Sequence, residues 1–289
     1  MKNKTKLMLA LSILTAGTLA AGATGTFAWF TTNKTATATY NNITVNGTTG
    51  DLSVNIAGVT DAATVDNSKK TEVTASGTTS ATSDVSSNDG LKFVQPDWKS
   101  VQGNEQEVNS LKTVTSLNGY FTQYSITVSN NTTDTSSNAI DVYLSALKIT
   151  VSKAEASDAT LTSIASWVRV AVTSKVKNPA ENKRLEAETG SETFIFQNDI
   201  TTASSKKYVS GVDAQNKLIL TDVGNSLKGA GDSFTNVEPK AWKAKAAQES
   251  VTLGVSVWIE GTMNDNQDDA KGATISVSMT FSSKDTANA

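Results

Sequence analysis

Apolar and polar residues alternate with period two along most of this chain, the pattern of strands that bury one face. "DLSVNIAGV" puts Leu52, Val54 and Ile56 on one side and Ser53 and Asn55 on the other. "YSITVSN" does the same with Tyr124, Ile126 and Val128, and ends in the turn-prone pair Asn130-Asn131. "LKITV" sets Leu147, Ile149 and Val151 against Lys148 and Thr150. "WVRVAVT" sends Val168, Val170 and Val172 inward and Trp167 and Arg169 the other way, while "ETFIFQN" and "KLILTDV" predict two further short strands. The clearest pair lies near the C-terminus. "SVTLGVSVWIEG" aligns Val251, Leu253, Val255, Val257 and Ile259, and "ATISVSMTFS" answers with Ile275, Val277, Met279 and Phe281. Between them runs the acidic stretch "TMNDNQDDAKG". The two strands predict a hairpin whose loop, about 12–14 residues, is long enough to be functional or mobile.

Helical signals are fewer. "NPAENKRLEAETG" offers Asn178 as N-cap, Pro179 at the first position and Gly190 as a stop. Weaker helical patterns cover residues 153–166 and 238–249. Residues 60–89 are nearly devoid of core positions and predict a flexible insertion. Many short strands with a few short helices predict an all-β fold, a jelly-roll-like β-sandwich spanning residues 46–289.

Composition sharpens this picture mainly by what is missing. The chain has 289 residues, no Cys, no His and a net charge of −3. Without His there is no imidazole base near neutral pH and no Ser-His-Asp triad. Without Cys or His a zinc site loses its usual ligands, and no disulfide can staple the fold. The mild acidity gives no electrostatic footprint for nucleic acid or an anionic membrane. Abundant Thr suits the solvent face of strands, and Asn and Gly suit turns.

The first 28 residues read as a signal peptide. Lys2, Lys4 and Lys6 precede an uncharged apolar stretch from Leu7 to about Ala21, and Thr26-Phe27-Ala28 places small residues where a signal peptidase reads. Cleavage after Ala28 would leave Trp29 as the new N-terminus. The alternative is an uncleaved anchor, for which the uncharged residues 7–30 are just long enough, though rich in Gly, Ala and Thr. The expected membrane contact is through this leader alone, before cleavage. Residues 29–45 then form a strand-prone arm without Pro. Phe30, Thr32, Lys34, Ala36, Ala38 and Tyr40 share one side, and Ile43 and Val45 continue the segment. The arm either pairs within its own subunit as an edge strand or inserts into another.

"GTFAWFTTNKTATATYNNITVNGTTGDLSVNI" resembles the start of the TasA/camelysin-like exported proteins of Gram-positive bacteria and their archaeal relatives. The shared pattern is Gly25-Thr26-Phe27-Ala28, then Trp29-Phe30, a Thr-rich stretch, and Gly50-Asp51-Leu52-Ser53-Val54. "VWIEGTMNDNQDDAKGATISVSMTF" is similar to the ending of some proteins with this leader. The resemblance implies processing by a SipW-type signal peptidase and a jelly-roll sandwich. It also implies secretion to the cell surface or extracellular matrix and head-to-tail assembly into biofilm-matrix fibres, with accessory matrix proteins as possible partners. In polymerising members, an N-terminal strand is donated to the next subunit. Small Ala36 and Ala38 would then slot into a groove, with Phe30 and Tyr40 as larger anchors. Camelysin carries a metalloprotease label, but this chain has neither His nor an "HExxH" arrangement, so that activity does not carry over.

Other constellations have bland explanations. Glu260, Asp265, Asp268 and Asp269 offer oxygen ligands for Ca²⁺, but their spacing does not follow an EF-hand loop. A solvated acidic turn that discourages edge-to-edge aggregation suits them better. Glu186 and Glu188 lie among Lys and Arg as on a solvated face, not as glycosidase acids. Trp98, Trp167, Trp242 and Trp258 fall on separate segments, which favours packing over a carbohydrate platform. Sequons such as Asn131-Thr132-Thr133 arise by chance in so Asn- and Thr-rich a chain. The ending "SSKDTANA" carries no wall-sorting motif. The expectation is a non-enzymatic structural subunit without cofactors. The alternative is a monomeric surface or matrix binding module.

Overall fold

The computed structural model describes residues 36–47, 52–58, 72–73, 78–81, 85–98, 107–115, 121–130, 140–177, 184–229, 242–244, 250–262, 270 and 273–285. The leader with Thr26, Ala28 and Trp29, the arm residue Phe30, and Asp265, Asp268 and Asp269 lie outside these residues.

In chain order the strands begin with β1 (Ala36–Gly47), β2 (Leu52–Gly58), β3 (Glu72–Val73), β4 (Thr78–Ala81), β5 (Phe93–Trp98) and β6 (Val108–Val114). Then come β7 (Thr122–Asn130), β8 (Ile140–Ser152) and the helix α1 (Asp158–Trp167). β9 (Val168–Thr173), β10 (Val176–Lys177), β11 (Glu186–Ala187) and β12 (Thr193–Gln197) follow. The series closes with β13 (Lys207–Val212), β14 (Leu218–Asp222), β15 (Leu227–Gly229), β16 (Trp242–Ala244), β17 (Ser250–Ile259) and β18 (Thr274–Asp285). The fold is all-β, as the alternation predicts, with α1 the one α-helix among the described residues.

Two six-stranded sheets carry the architecture. The first runs β16-β8-β18-β1-β3, with β4 also pairing β1; the second runs β15-β12-β9-β17-β7-β2. One core joins them. Leu144, Leu147, Ile149, Ile275, Val277 and Met279 of the first sheet pack with Tyr124, Ile126, Val170, Val172, Leu253 and Val255 of the second. These are the inward positions of the period-two pattern, and burying each aliphatic side chain is worth about 1.5–3 kcal/mol. The short helix contributes Ile164 and Trp167 to the same core. It starts where the Ser157 hydroxyl accepts the Thr160 backbone N–H at 3.2 Å. It stops where the β-branched run "VRVAV" takes the extended conformation.

The second sheet is buried on its other face as well. Ala171, Ile195 and Trp258 point away from the shared core and pack against Val85, Phe93, Val114, Phe121, Val176 and Leu185. Phe93 stacks on Phe121 at 3.8 Å and meets Trp258 edge-on at 5.4 Å. Polar outward positions of this sheet, Gln123, Ser125, Arg169 and Ser256, are therefore buried too. Thus every residue of β9 is buried, although its alternation reads as a one-sided strand.

Four sequence expectations need correction. The predicted C-terminal hairpin is absent: β17 pairs β7 and β9 in the second sheet, whereas β18 pairs β8 and β1 in the first. Period two reports which face is buried and not which strand is the neighbour; here both strands line one core from opposite sides. The helix predicted over residues 178–190 does not reach its end, because β11 pairs β10 and Gly190 sits in a turn at φ 76°. Extended backbone there delivers Leu185 into the second apolar cluster. The helix predicted over 238–249 gives way to β16, which pairs β8. Within the 60–89 stretch, β3 and β4 pair β1, and Val85 is fully buried.

Candidate functional site

The arm residues Ala36, Ala38, Tyr40, Ile43 and Val45 all fall on β1. This strand runs parallel to β18 of its own chain, with Thr37 opposite Thr274, Ala38 opposite Ile275, and Tyr40 opposite Val277. The register then shifts: Ile43 stands opposite Met279 and Val45 opposite Phe281. Three steps along β1 match two along β18, so Asn41 and Asn42 share the place of one residue, a β-bulge. That bulge explains a phase break in the sequence, where the apolar positions switch from even (Ala38, Tyr40) to odd (Ile43, Val45) numbers. On β18 the residues facing these positions, Ile275, Val277 and Met279, are buried, while Thr274 and Ser276 are half-buried. The other edge of β1 is met by β3 and β4, two and four residues long.

A second constellation lies between the second sheet and the segments covering it. Arg169 and Glu260 are both fully buried and form an ion pair at 2.7 Å. β9 and β17 place them side by side, because Trp258 stands opposite Arg169 and Glu260 follows two residues later. The guanidinium makes three further hydrogen bonds in this pocket. It donates from Nε to Gln197 Oε1 at 2.8 Å, and from Nη2 to the carbonyls of Ser205 and Lys207 at 2.9 and 2.7 Å. Glu260 also accepts the Trp258 indole N–H at 3.0 Å, the Ser87 backbone N–H at 3.4 Å and the Thr262 hydroxyl at 3.4 Å. Burial pushes the Arg169 pKa down, and the Glu260 charge and hydrogen bond oppose that shift. An arginine still remains charged at neutral pH. The centre thus carries a satisfied charge pair that ties residues 85–87 and 205–207 to the sheet. Glu260, one of the candidate Ca²⁺ ligands, serves here as the counter-ion of Arg169.

Gln123 makes a similar tie. Its Nε2 donates to Gly90 O and Ser256 Oγ at 3.0 Å each, and its Oε1 accepts the Leu185 N–H at 3.2 Å. The remaining candidates separate. Trp167 and Trp258 are packed inside different apolar clusters, Trp98 lies on β5 and Trp242 on β16. Glu186 and Glu188 are exposed, the former paired with Lys177 at 3.1 Å.

A cleft of about 350 Å³ lies between α1 and β8, lined by Ile149, Val151, Leu161, Ala165, Asn198 and Asp199 among others. Asp199 turns its carboxylate to its own loop, accepting the Thr201 N–H and the Thr202 hydroxyl at 2.8 and 2.6 Å. The Thr202 hydroxyl, then the Thr201 N–H, hold its pKa down from the usual 3.8 to about 2. Among the described residues, no group of three or more carboxylates is placed to hold a metal ion, and no helix is long and apolar enough to cross a membrane. The buried roles of Arg169, Gln197 and Gln123 escape a reading by periodicity. The one available signal was a lone charge inside the otherwise apolar "VRVAV". Compared with known proteins, the chain matches no family model, no curated protein and no solved structure.

Proposed function

We propose that this chain is a secreted structural protein, a subunit of an extracellular fibre of the biofilm-matrix type, joined to its neighbour by donating the N-terminal strand. The observation that carries the reading is the seat of β1. It lies parallel to the C-terminal strand β18, and only residues 48–51 join it to β2 in the other sheet. A terminal strand joined to the rest by a short stretch of sequence is the kind of element that chains exchange. Donation of a strand gains cohesion from backbone hydrogen bonds and register from alternate side chains. Head-to-tail contact of this kind does not close, and so propagates into a filament. In this reading a SipW-type peptidase removes the leader after Ala28, freeing the arm that begins at Trp29. The chain acts without a cofactor or catalytic group, and accessory matrix proteins are its further partners.

Deleting residues 29–40 from the secreted protein tests the reading. Filaments seen by electron microscopy with the parent protein should disappear; unchanged filaments would refute it. The pairing of β1 inside its own chain favours a second reading, a monomeric adhesion module of the cell surface or matrix. A single monomeric peak in size-exclusion chromatography, independent of concentration, would select that one.

A further inference from the structure

We propose that the outer edge of β14 is a self-association surface, where β14 of a second copy pairs antiparallel about a two-fold axis at Leu220. This contact is separate from strand donation and uses no residue of the N-terminal arm. β14 forms a two-stranded sheet with β13. The hydrogen bonds at the two ends of that hairpin fix which way its backbone faces. Lys217 O accepts the Asp213 N–H, and the Val223 N–H donates to Lys206 O, both at 2.8 Å. Successive residues of a strand turn their N–H and C=O to opposite sides, so Ile219 and Thr221 also face β13. Val209, which stands opposite Leu220, agrees: its N–H turns away from β14 and donates to Ser86 Oγ at 2.8 Å. Leu218, Leu220 and Asp222 therefore turn their backbone groups to the other side, where among the described residues no strand pairs them.

The side chains on this edge invite a partner. No residue of β14 is buried, and Ile219 and Leu220 are 42% and 39% exposed. Exposed edges are commonly guarded by Pro, by a bulge or by a central charge. Here the bulge lies on β13, and the charges stand only at the two ends, Lys217 and Asp222. Those ends select the occupant. Two antiparallel copies bring Lys217 of each to the Asp222 end of the other, whereas parallel copies would set like charges together. With the axis at Leu220, that residue faces its own counterpart, Leu218 faces Asp222 and Ile219 faces Thr221 of the second copy. Only this axis pairs all three outward residues of each strand. An axis between two residues would set outward backbone groups against inward ones and make none of these bonds. Such a contact closes on itself as a pair. Where subunits already stand in a filament, it ties two filaments side by side.

The chain has no Cys, so a single introduced thiol reports the contact. In the full mature chain carrying Leu220→Cys, the two thiols of a pair face each other across the axis. Hydrogen-bonded antiparallel residues have Cα atoms about 5.5 Å apart, inside the range a disulfide accepts. The comparison is Ala214→Cys, an exposed position at the hairpin tip, far from the axis. Under mild oxidation Leu220→Cys should give a covalent dimer at least about tenfold faster than Ala214→Cys, because pairing raises the effective concentration of its thiol. Adding Ile219→Asp to Leu220→Cys should slow the trap at least about fivefold, since it sets two like charges on diagonal positions of one face. Ile219 is exposed in the single chain, so the thermal midpoint should stay unchanged and separate this effect from misfolding. Equal rates for Leu220→Cys and Ala214→Cys overturn the proposal and leave this edge, at most, to a strand of another protein. An unchanged rate on adding Ile219→Asp overturns it as well.

Discussion

At the scale of single residues, the Arg169–Glu260 pair is a place where losing one partner is costly. Both groups are fully buried, so removing either partner strands a charge away from water. Arg169→Met or Glu260→Leu alone should cost about 3–5 kcal/mol, while the double replacement should cost clearly less than the sum. Urea unfolding of the four proteins measures this; additive losses would mean that the pair is not coupled. Gly90 is constrained differently. It has φ 65°, and a Cβ there would collide with the Ala171 side chain. Gly90→Ala should lose at least about 2 kcal/mol in the same assay. Asp199 gives a pH signature. Its folded pKa is depressed to about 2, so its stabilising contribution is complete above the unfolded value near 3.8 and is lost as pH falls toward 2. Asp199→Asn should flatten the fall in thermal midpoint across that window. An unchanged pH profile would show that the Thr201–Thr202 contacts do not persist in solution.

Whole elements were legible in the sequence where alternation was strong, and misplaced where a neighbour had to be chosen. The strands at Leu52, Tyr124, Leu147, Val168, Ser250 and Thr274 follow the alternation, and those at Thr193 and Leu218 fall on the two further short strands expected there. Pairing was not legible, because Val257 and Val277 look alike whether they meet across a hairpin or across a core. Two-sided burial was hidden as well. Arg169, Gln123 and Ser256 look like a solvent face until a separate run of chain covers them. The bulge in β1 is the element whose sequence cue, the phase break after Tyr40, is plainest in retrospect. It makes a specific prediction. Deleting Asn42 removes the extra residue, so Ile43–Gly47 keep their partners on β18 and the ladder becomes regular. The thermal midpoint of the deleted protein should hold or rise. A strand without the bulge would instead turn Ile43 and Val45 to the other face on this deletion, and the midpoint would fall by several degrees.

For the molecule as a whole, the order in which parts open decides whether strand donation is feasible. β17 is held on both sides by long partners, with eight register pairs to β7 and six to β9, and both its faces are buried. Among the described residues β1 has one long partner and two short ones. Local opening follows contact and burial, so β1 should exchange its amide protons well before global unfolding, while β9 and β17 exchange only with it. Hydrogen exchange on the mature monomer measures this directly. If the chain assembles by strand donation as proposed, the same β1 amides should be slowed in the fibre, because a donated strand leaves only when two subunits part. If β1 instead exchanges as slowly as β17 in the monomer, its own seat is closed to a second copy on any useful timescale. The chain would then behave as the monomeric module, whatever its leader implies.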